Sequence, residues 1–64
     1  MFTCIAVIDD PVQIKNLCEC CRLLGVEPFV QNNVVTANFG VGNEKAGLVI
    51  ELFEQYQFHE VRMV

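Results

Sequence analysis

The chain has 64 residues, of which 53% are hydrophobic, and a formal net charge of −4 from eight acidic and four basic residues. This length allows one domain, residues 1–64, with no room for a second core. The basic residues are scattered, which argues against nucleic acid and an anionic membrane surface as partners, because both attract a basic patch. No apolar run approaches the ~20 residues of a membrane-spanning helix. The first apolar run ends at Asp9 with no basic region before it, so we expect no signal peptide and a cytoplasmic protein.

The hydrophobic content is high for so short a chain. Small domains bury a low fraction of their surface, and their cores need few apolar side chains. The surplus predicts apolar surface that a partner covers, with a homo-oligomer as the first expectation.

The first half of the chain predicts a strand followed by a helix. Residues 2–8 form a continuous apolar run rich in β-branched residues, which indicates a central strand covered on both faces. Asp10 suits the N-cap of a helix and Pro11 its first position. The helix then runs to about Leu24, with Gly25 as its C-terminal stop. Its apolar face consists of Ile14, Leu17, Cys18, Cys21 and Leu24.

A β-hairpin follows. Residues 26–31 and 34–41 are predicted strands, because Asn32-Asn33 between them suits a two-residue turn with positive φ. That turn places Val30 opposite Val35, and the same face carries Val26, Pro28, Ala37 and Phe39.

A second helix and an edge strand complete the chain. Asn43 is expected to cap the helix directly after Gly40 and Gly42 end the preceding strand. The apolar stripe of this second helix consists of Ala46, Val49, Ile50, Phe53 and Tyr56. Residues 59–64 then form a strand with alternating side chains, in which Val61 and Met63 point inward and Glu60 and Arg62 point outward. The β-α-β-β-α-β order predicts an α+β, ferredoxin-like fold, with two helices on one face of a four-stranded antiparallel sheet.

The far side of this sheet is the candidate interface. Phe29, Val34 and Thr36 face away from the helices, and one alternate set of the first strand joins them, either Thr3-Ile5-Val7 or Phe2-Cys4-Ala6-Ile8. Contiguous apolar patches of this kind mark contact surfaces. Leu23 and Leu48 lie outside the apolar stripes of the two helices and suggest a second contact surface. The predicted interface residues are Ile5, Val7, Phe29, Val34, Leu23 and Leu48.

Cysteines are concentrated in the first helix. Cys18 and Cys21 fall on its buried side, where cysteine acts as a small hydrophobe, and Cys20 is the exposed thiol. A thiolate metal site needs more converging ligands than this pair, and the chain has no second CxxC, so we predict no metal or cofactor. A soft-metal or redox role through Cys18, Cys20 and Cys21 stays open as an alternative.

Polar residues are expected at one end of the sheet, where the first strand ends, the hairpin turns and the last strand begins. This would gather Asp9, Asp10, Asn32, Asn33 and His59, and carboxylates with an imidazole could bind a small ligand or a divalent ion. Helix capping and turn formation explain the same residues. Gly40-Val41-Gly42-Asn43 before a helix could hold an anion, although turn and cap chemistry also accounts for it.

The segment Asp9-Asp10-Pro11-Val12-Gln13-Ile14 resembles the Asp-x-Pro-Gly-x-Leu of ACT domains. Gly25-Val26 is similar to the Gly-Ile/Val of that family, and the last strand is similar as well. The resemblance implies a regulatory module that pairs side by side or face to face and binds a small ligand at the interface. The ligand would approach the backbone at Val12, where the family has glycine.

No catalytic motif stands out, so the prediction is a non-enzymatic binding or regulatory module that acts as a homo-oligomer through the open sheet face. Two alternatives remain: an accessory or inhibitory protein that docks on a larger protein partner, and the thiol-based role described above.

Overall fold

The computed structural model describes residues 1–63. Its elements are β1 (Phe2–Val7), α1 (Pro11–Leu23), β2 (Pro28–Gln31), β3 (Val34–Phe39), α2 (Ala46–Glu54) and β4 (Phe58–Met63). The strands form one sheet in the order β2-β3-β1-β4, and all neighbouring pairs are antiparallel. Helix α1 packs on β2 and β3, and α2 packs on β1 and β4. The predicted ferredoxin-like arrangement is confirmed.

Strand β1 is central, as predicted, but it is not covered on both faces. Cys4 and Ala6 are fully buried beneath the helices, whereas Val7 is exposed and Ile5 half-buried on the other side. The side of the sheet without helices therefore carries the side chains of Thr3, Ile5 and Val7. A continuous apolar run fits a strand buried on both sides and a strand with one uncovered apolar side equally well, which is why the prediction failed.

Helix α1 begins and ends where the sequence predicts. The Asp10 side chain accepts a hydrogen bond from the Val12 backbone N–H at 2.9 Å, and Pro11 follows at the first helical position. Gly25 has φ of 79° directly after the helix, the left-handed conformation that glycine adopts without strain. The helix buries Leu17, Cys18 and Cys21.

The hairpin register is as predicted, with Val30 opposite Val35 and Asn32 at φ of 56° in the turn. Strand β2 begins at Pro28 rather than Val26. The Val26 N–H donates to the Cys21 carbonyl at 2.9 Å, so the end of α1 holds this residue out of the strand and buries it.

Helix α2 begins at Ala46, later than predicted. Asn43 does not cap the helix directly; its side-chain oxygen accepts a hydrogen bond from the Lys45 N–H at 2.8 Å and forms a turn ahead of it. Strand β3 likewise ends at Phe39 rather than 41. Within α2, Val49 and Phe53 are fully buried.

Strand β4 is exposed along its whole described length. Val61 and Met63 lie on the helix side, as predicted, because they pair with Cys4 and Phe2. They are not buried, since β4 lies at the sheet edge, and Val61 remains 37% exposed. Residue 64 of the predicted strand lies outside the described residues.

The core lies between the sheet and the helices. No polar or charged side chain is buried among residues 1–63. The hydrophobic core cluster consists of Cys4, Ala6, Ile8, Leu17, Cys18, Cys21, Val26, Val35, Ala37, Phe39, Val49 and Phe53.

Candidate functional site: the open sheet face

The side of the sheet without helices, here called the open face, carries an apolar band across all four strands. Register places Val7 between Val34 on β3 and Phe58 on β4. Thr36 of β3 likewise lies between Ile5 on β1 and Phe29 on β2. Phe29 and Phe58 are 65% and 62% exposed, so two aromatic rings stand in solvent on this face. The predicted set Ile5, Val7, Phe29 and Val34 therefore shares one surface.

Phe58 was missed from the sequence because the predicted last strand begins at residue 59, whereas β4 begins at Phe58. The signal was available in the alternation of the last strand. Glu60 and Arg62 were predicted to point outward, and Phe58 stands two residues before Glu60 on the same face.

Hydrogen-bonded polar pairs flank the apolar band. The Thr3 hydroxyl donates to the Asn38 side-chain oxygen at 2.7 Å between β1 and β3. On β4, Arg62 donates to both carboxylate oxygens of Glu60, at 2.8 and 3.1 Å. The hydrogen bond from Arg62 lowers the pKa of the Glu60 carboxyl, which keeps the pair charged on both sides.

The open face is neutral although the protein is acidic. Glu60 and Arg62 are its only charged residues within the described strands, and their charges cancel. Of the eight acidic and four basic residues, the other seven and three lie in the helices and loops, so these regions carry the whole net charge of −4.

A shallow groove of about 240 Å³ crosses the hairpin side of the open face. It is lined by Phe29, Gln31, Asn32, Val34 and Thr36. Sites for drug-sized ligands usually measure ~300–1,000 Å³. The groove is thus better matched to a side chain from another protein surface than to a complete organic ligand.

The predicted polar site is only partly assembled at the hairpin end. The Asn33 side-chain amide donates to Asp9 at 3.1 Å, and Asp9 and Asp10 line one depression of about 240 Å³. Neither Asn32 nor His59 lines it. Asp9 and Asp10 therefore share one depression, and the His59 imidazole is not part of its lining.

The remaining predicted ligand residues have separate surroundings. His59 Nδ1 lies 2.6 Å from the Tyr56 carbonyl oxygen, which only accepts, so Nδ1 carries the hydrogen. Val12 is exposed on α1, and Asn32 belongs to the open-face groove. Across residues 1–63, no three His, Cys, Asp or Glu side chains group as metal ligands.

Three of the backbone amides after β3 are engaged within the chain. The Asn43 N–H donates to Gly40 at 3.0 Å, and the Ala46 N–H donates to the Asn43 carbonyl at 3.1 Å. The Lys45 N–H is also bonded to the Asn43 side chain, so these three N–H groups are not available to an anion.

In α1, Cys18 and Cys21 are buried and Cys20 is exposed, as the helical wheel predicts. Cys4 of β1 is also buried. Burial raises the pKa of all three buried thiols, and that of Cys21 to about 11. Metal binding and nucleophilic attack both require the thiolate, which burial disfavours at these positions.

Leu23 and Leu48 do lie together, as the second predicted contact surface requires. They line a groove of about 350 Å³ between α1 and α2, with Glu51 as the charged residue in its wall. Cys20, Leu24, Leu52 and Gln55 complete the lining.

In the described part of the chain, no helix has the length and apolar character that crossing a membrane requires. Comparisons of the chain with protein-family models, with curated proteins and with solved structures gave no match.

Proposed function

We propose that this protein is a non-enzymatic binding module that acts as a homo-oligomer, with the open face as the contact between copies. The observation that carries this proposal is the apolar band, in which Phe29 and Phe58 are both more than half exposed. Removing such rings from water contributes ~25 cal/mol for each Å² of apolar surface that is buried, and this contribution opposes the entropic cost of association.

The charge distribution supports a second copy as the occupant. Two identical proteins of net charge −4 repel each other at most relative orientations. The open face is the exception, since Glu60 and Arg62 cancel there and the excess acidic residues lie in the helices and loops. Two copies that meet face to face keep those acidic surfaces apart.

The size of the face sets the expected strength of this contact. Four strands ~4.8 Å apart and up to six residues long at ~3.3 Å per residue span about 400 Å² in flat projection. A standard stable interface buries roughly 800 Å² on each partner. Pairing through one open face alone is therefore expected to be weak and concentration-dependent.

The two carboxylates at the hairpin end form hydrogen bonds within the chain. Asp10 caps α1 through the Val12 N–H, and Asp9 accepts a hydrogen bond from Asn33. Both carboxylates thus stabilise the chain itself. The similarity to ACT domains remains a prediction, and a small ligand at the interface is part of that prediction.

Sedimentation velocity over a concentration series from micromolar to millimolar tests the open-face contact. Phe29→Ser should shift the association to higher concentration. Val12→Ser is the matched control, because Val12 is also 65% exposed but lies on α1. A native protein that stays monomeric throughout, or equal behaviour of the two variants, would refute the proposal.

Docking on a larger protein is a second candidate, favoured by the groove between the helices. Its exposed leucines and the acidic Glu51 fit an apolar segment with basic neighbours. A labelled amphipathic peptide of leucine and lysine is a suitable probe. Leu48→Ser removes apolar contact without adding a charge and should weaken binding of the peptide, whereas Phe29→Ser should have no effect. Equal binding by native protein and Leu48→Ser would exclude this groove.

A further inference from the structure

The outer edge of β4 is regular and unpaired in the single chain. Six consecutive residues, Phe58 to Met63, pair one for one with β1 and leave the opposite edge free. On a free edge, every other residue directs its backbone N–H and C=O away from the sheet. Natural edge strands are commonly blunted by proline, a bulge or charged side chains; β4 has no proline and no bulge, and its two charged residues, Glu60 and Arg62, are opposite in sign.

The other edge of the sheet differs. Strand β2 has four residues and begins with Pro28, which has no N–H to donate. Of the two edges, β4 is therefore the one suited to accept another strand.

The two charges of β4 select the partner strand and its register. Glu60 and Arg62 are opposite in sign and stand two residues apart around Val61. If a second β4 pairs antiparallel about Val61, Glu60 of each copy lies directly opposite Arg62 of the other. Two symmetry-related ion pairs then form beside the two intrastrand pairs already present.

Other registers are less favourable. A shift of two residues in one direction places Glu60 opposite Glu60 of the second copy, and in the other direction Arg62 opposite Arg62. Like charges directly opposite destabilise strand pairing. A shift of one residue pairs open-face positions with helix-side positions, so that the apolar faces no longer share one side of the sheet.

We propose that two copies of this chain pair through β4, antiparallel and centred on Val61, to form a continuous eight-stranded sheet. The twofold axis is perpendicular to the sheet, so both open faces lie on the same side. On the helix side Val61 meets Val61 of the second copy, and its 37% exposed surface is available for that contact. The paired sheet doubles the flat area of the open face to ~800 Å². This pairing forms with or without the open-face contact.

Charge reversal tests the register. Glu60→Arg places arginines opposite arginines, and Arg62→Glu places carboxylates opposite carboxylates. Each variant alone should dimerise at least about tenfold more weakly than the native chain, as two attractive pairs become repulsive. Equimolar mixing restores both cross-strand pairs and should yield a heterodimer, observed by native mass spectrometry with one variant isotopically labelled. The double variant, Glu60→Arg with Arg62→Glu, should dimerise like the native chain.

A second pair of variants separates this edge from the open face. Val61→Lys introduces two facing ammonium groups on the helix side, beyond reach of a copy seated on the open face, and should abolish edge pairing. Val61→Thr is its uncharged control, and circular dichroism verifies that both variants fold. Phe29→Ser should leave edge pairing intact. Single variants that dimerise as strongly as the native chain, single variants that fail to combine, or dimerisation of Val61→Lys at native strength would each overturn the proposal.

Discussion

The different burial of the four cysteines predicts how fast each reacts with a thiol reagent. Cys20 is exposed, whereas Cys4 and Cys21 are 0% and Cys18 is 6% exposed. When excess reagent is added to the folded, reduced protein at pH 8, we expect one fast phase that corresponds to one thiol and a slow phase that corresponds to three.

The separation of the two phases follows from two effects. Cys21 has a pKa of about 11, so the fraction of this thiol that is ionised at pH 8 is ~10⁻³. This fraction is about a hundredfold smaller than that of a thiol with the ordinary pKa of 9.0. The reagent must also reach the sulphur, which for a fully buried side chain requires opening of the fold. A domain of this length is stable by about 3–10 kcal/mol, so the open state is populated at ~10⁻² or less. The slow phase should therefore be at least about a hundredfold slower.

The assay is the absorbance of the released chromophore over time, with mass spectrometry of a tryptic digest to identify the labelled residue. Cys20→Ser should remove the fast phase and leave the slow one unchanged. In denaturant, all four thiols of the native chain should react at one rate. Two or more fast thiols in the folded protein, or a fast phase that survives in Cys20→Ser, would refute the packing described for α1.

Three further predictions concern stability, measured by urea unfolding under reducing conditions. Asp10→Ala removes the acceptor for the Val12 N–H and should cost about 1 kcal/mol, while Asp10→Asn should retain most of the cap. Gly25→Ala forces a side chain into φ of 79° and should cost about 1–2 kcal/mol, whereas Gly40→Ala, with open space around its Cβ position, should be near neutral. Stability should fall as pH rises from 9 towards 11, because the Cys21 thiol ionises near 9.0 when unfolded and at about 11 when folded. If Cys21 alone is counted, the free energy of unfolding falls by about 3 kcal/mol over this pH range. Cys21→Ala should reduce this dependence of stability on pH. Equal costs for the two glycine variants, or for the two Asp10 variants, would contradict these assignments, as would an unchanged pH slope in Cys21→Ala.

Much of the fold could be predicted because local chemistry and packing agree along the chain. Asp10-Pro11 specifies a helix start, Gly25 specifies its end, and Asn32 supplies the positive φ of the hairpin turn. The Asn32-Asn33 turn also fixes the register of β2 on β3. The residues that these two strands contribute to the open face could therefore be predicted from this dipeptide.

Other features depend on tertiary structure, and the sequence could not reveal them. The two alternate sets of side chains on β1, Thr3-Ile5-Val7 and the residues between them, are similarly apolar. The pairing of β1 with β3 and β4 therefore decides which set faces the helices. Likewise, the hydrogen bond from Val26 to Cys21 and the turn around Asn43 move two element boundaries. The distance between His59 and the two aspartates depends on side-chain direction, which strand order alone does not give.

The short β2 strand also bears on the solubility of the protein. If both edges of a sheet could accept a strand equally well, one edge of each copy could pair with the opposite edge of the next copy. Such head-to-tail pairing does not close and would produce a fibre. Here β2 offers four residues and lacks the Pro28 donor, while β4 offers six. Head-to-tail addition of β4 to β2 is therefore unfavourable relative to β4 pairing with itself. Replacing Pro28, which is also buried on the helix side of the sheet, with a residue that carries an N–H would restore a donor on this edge and should favour filament growth.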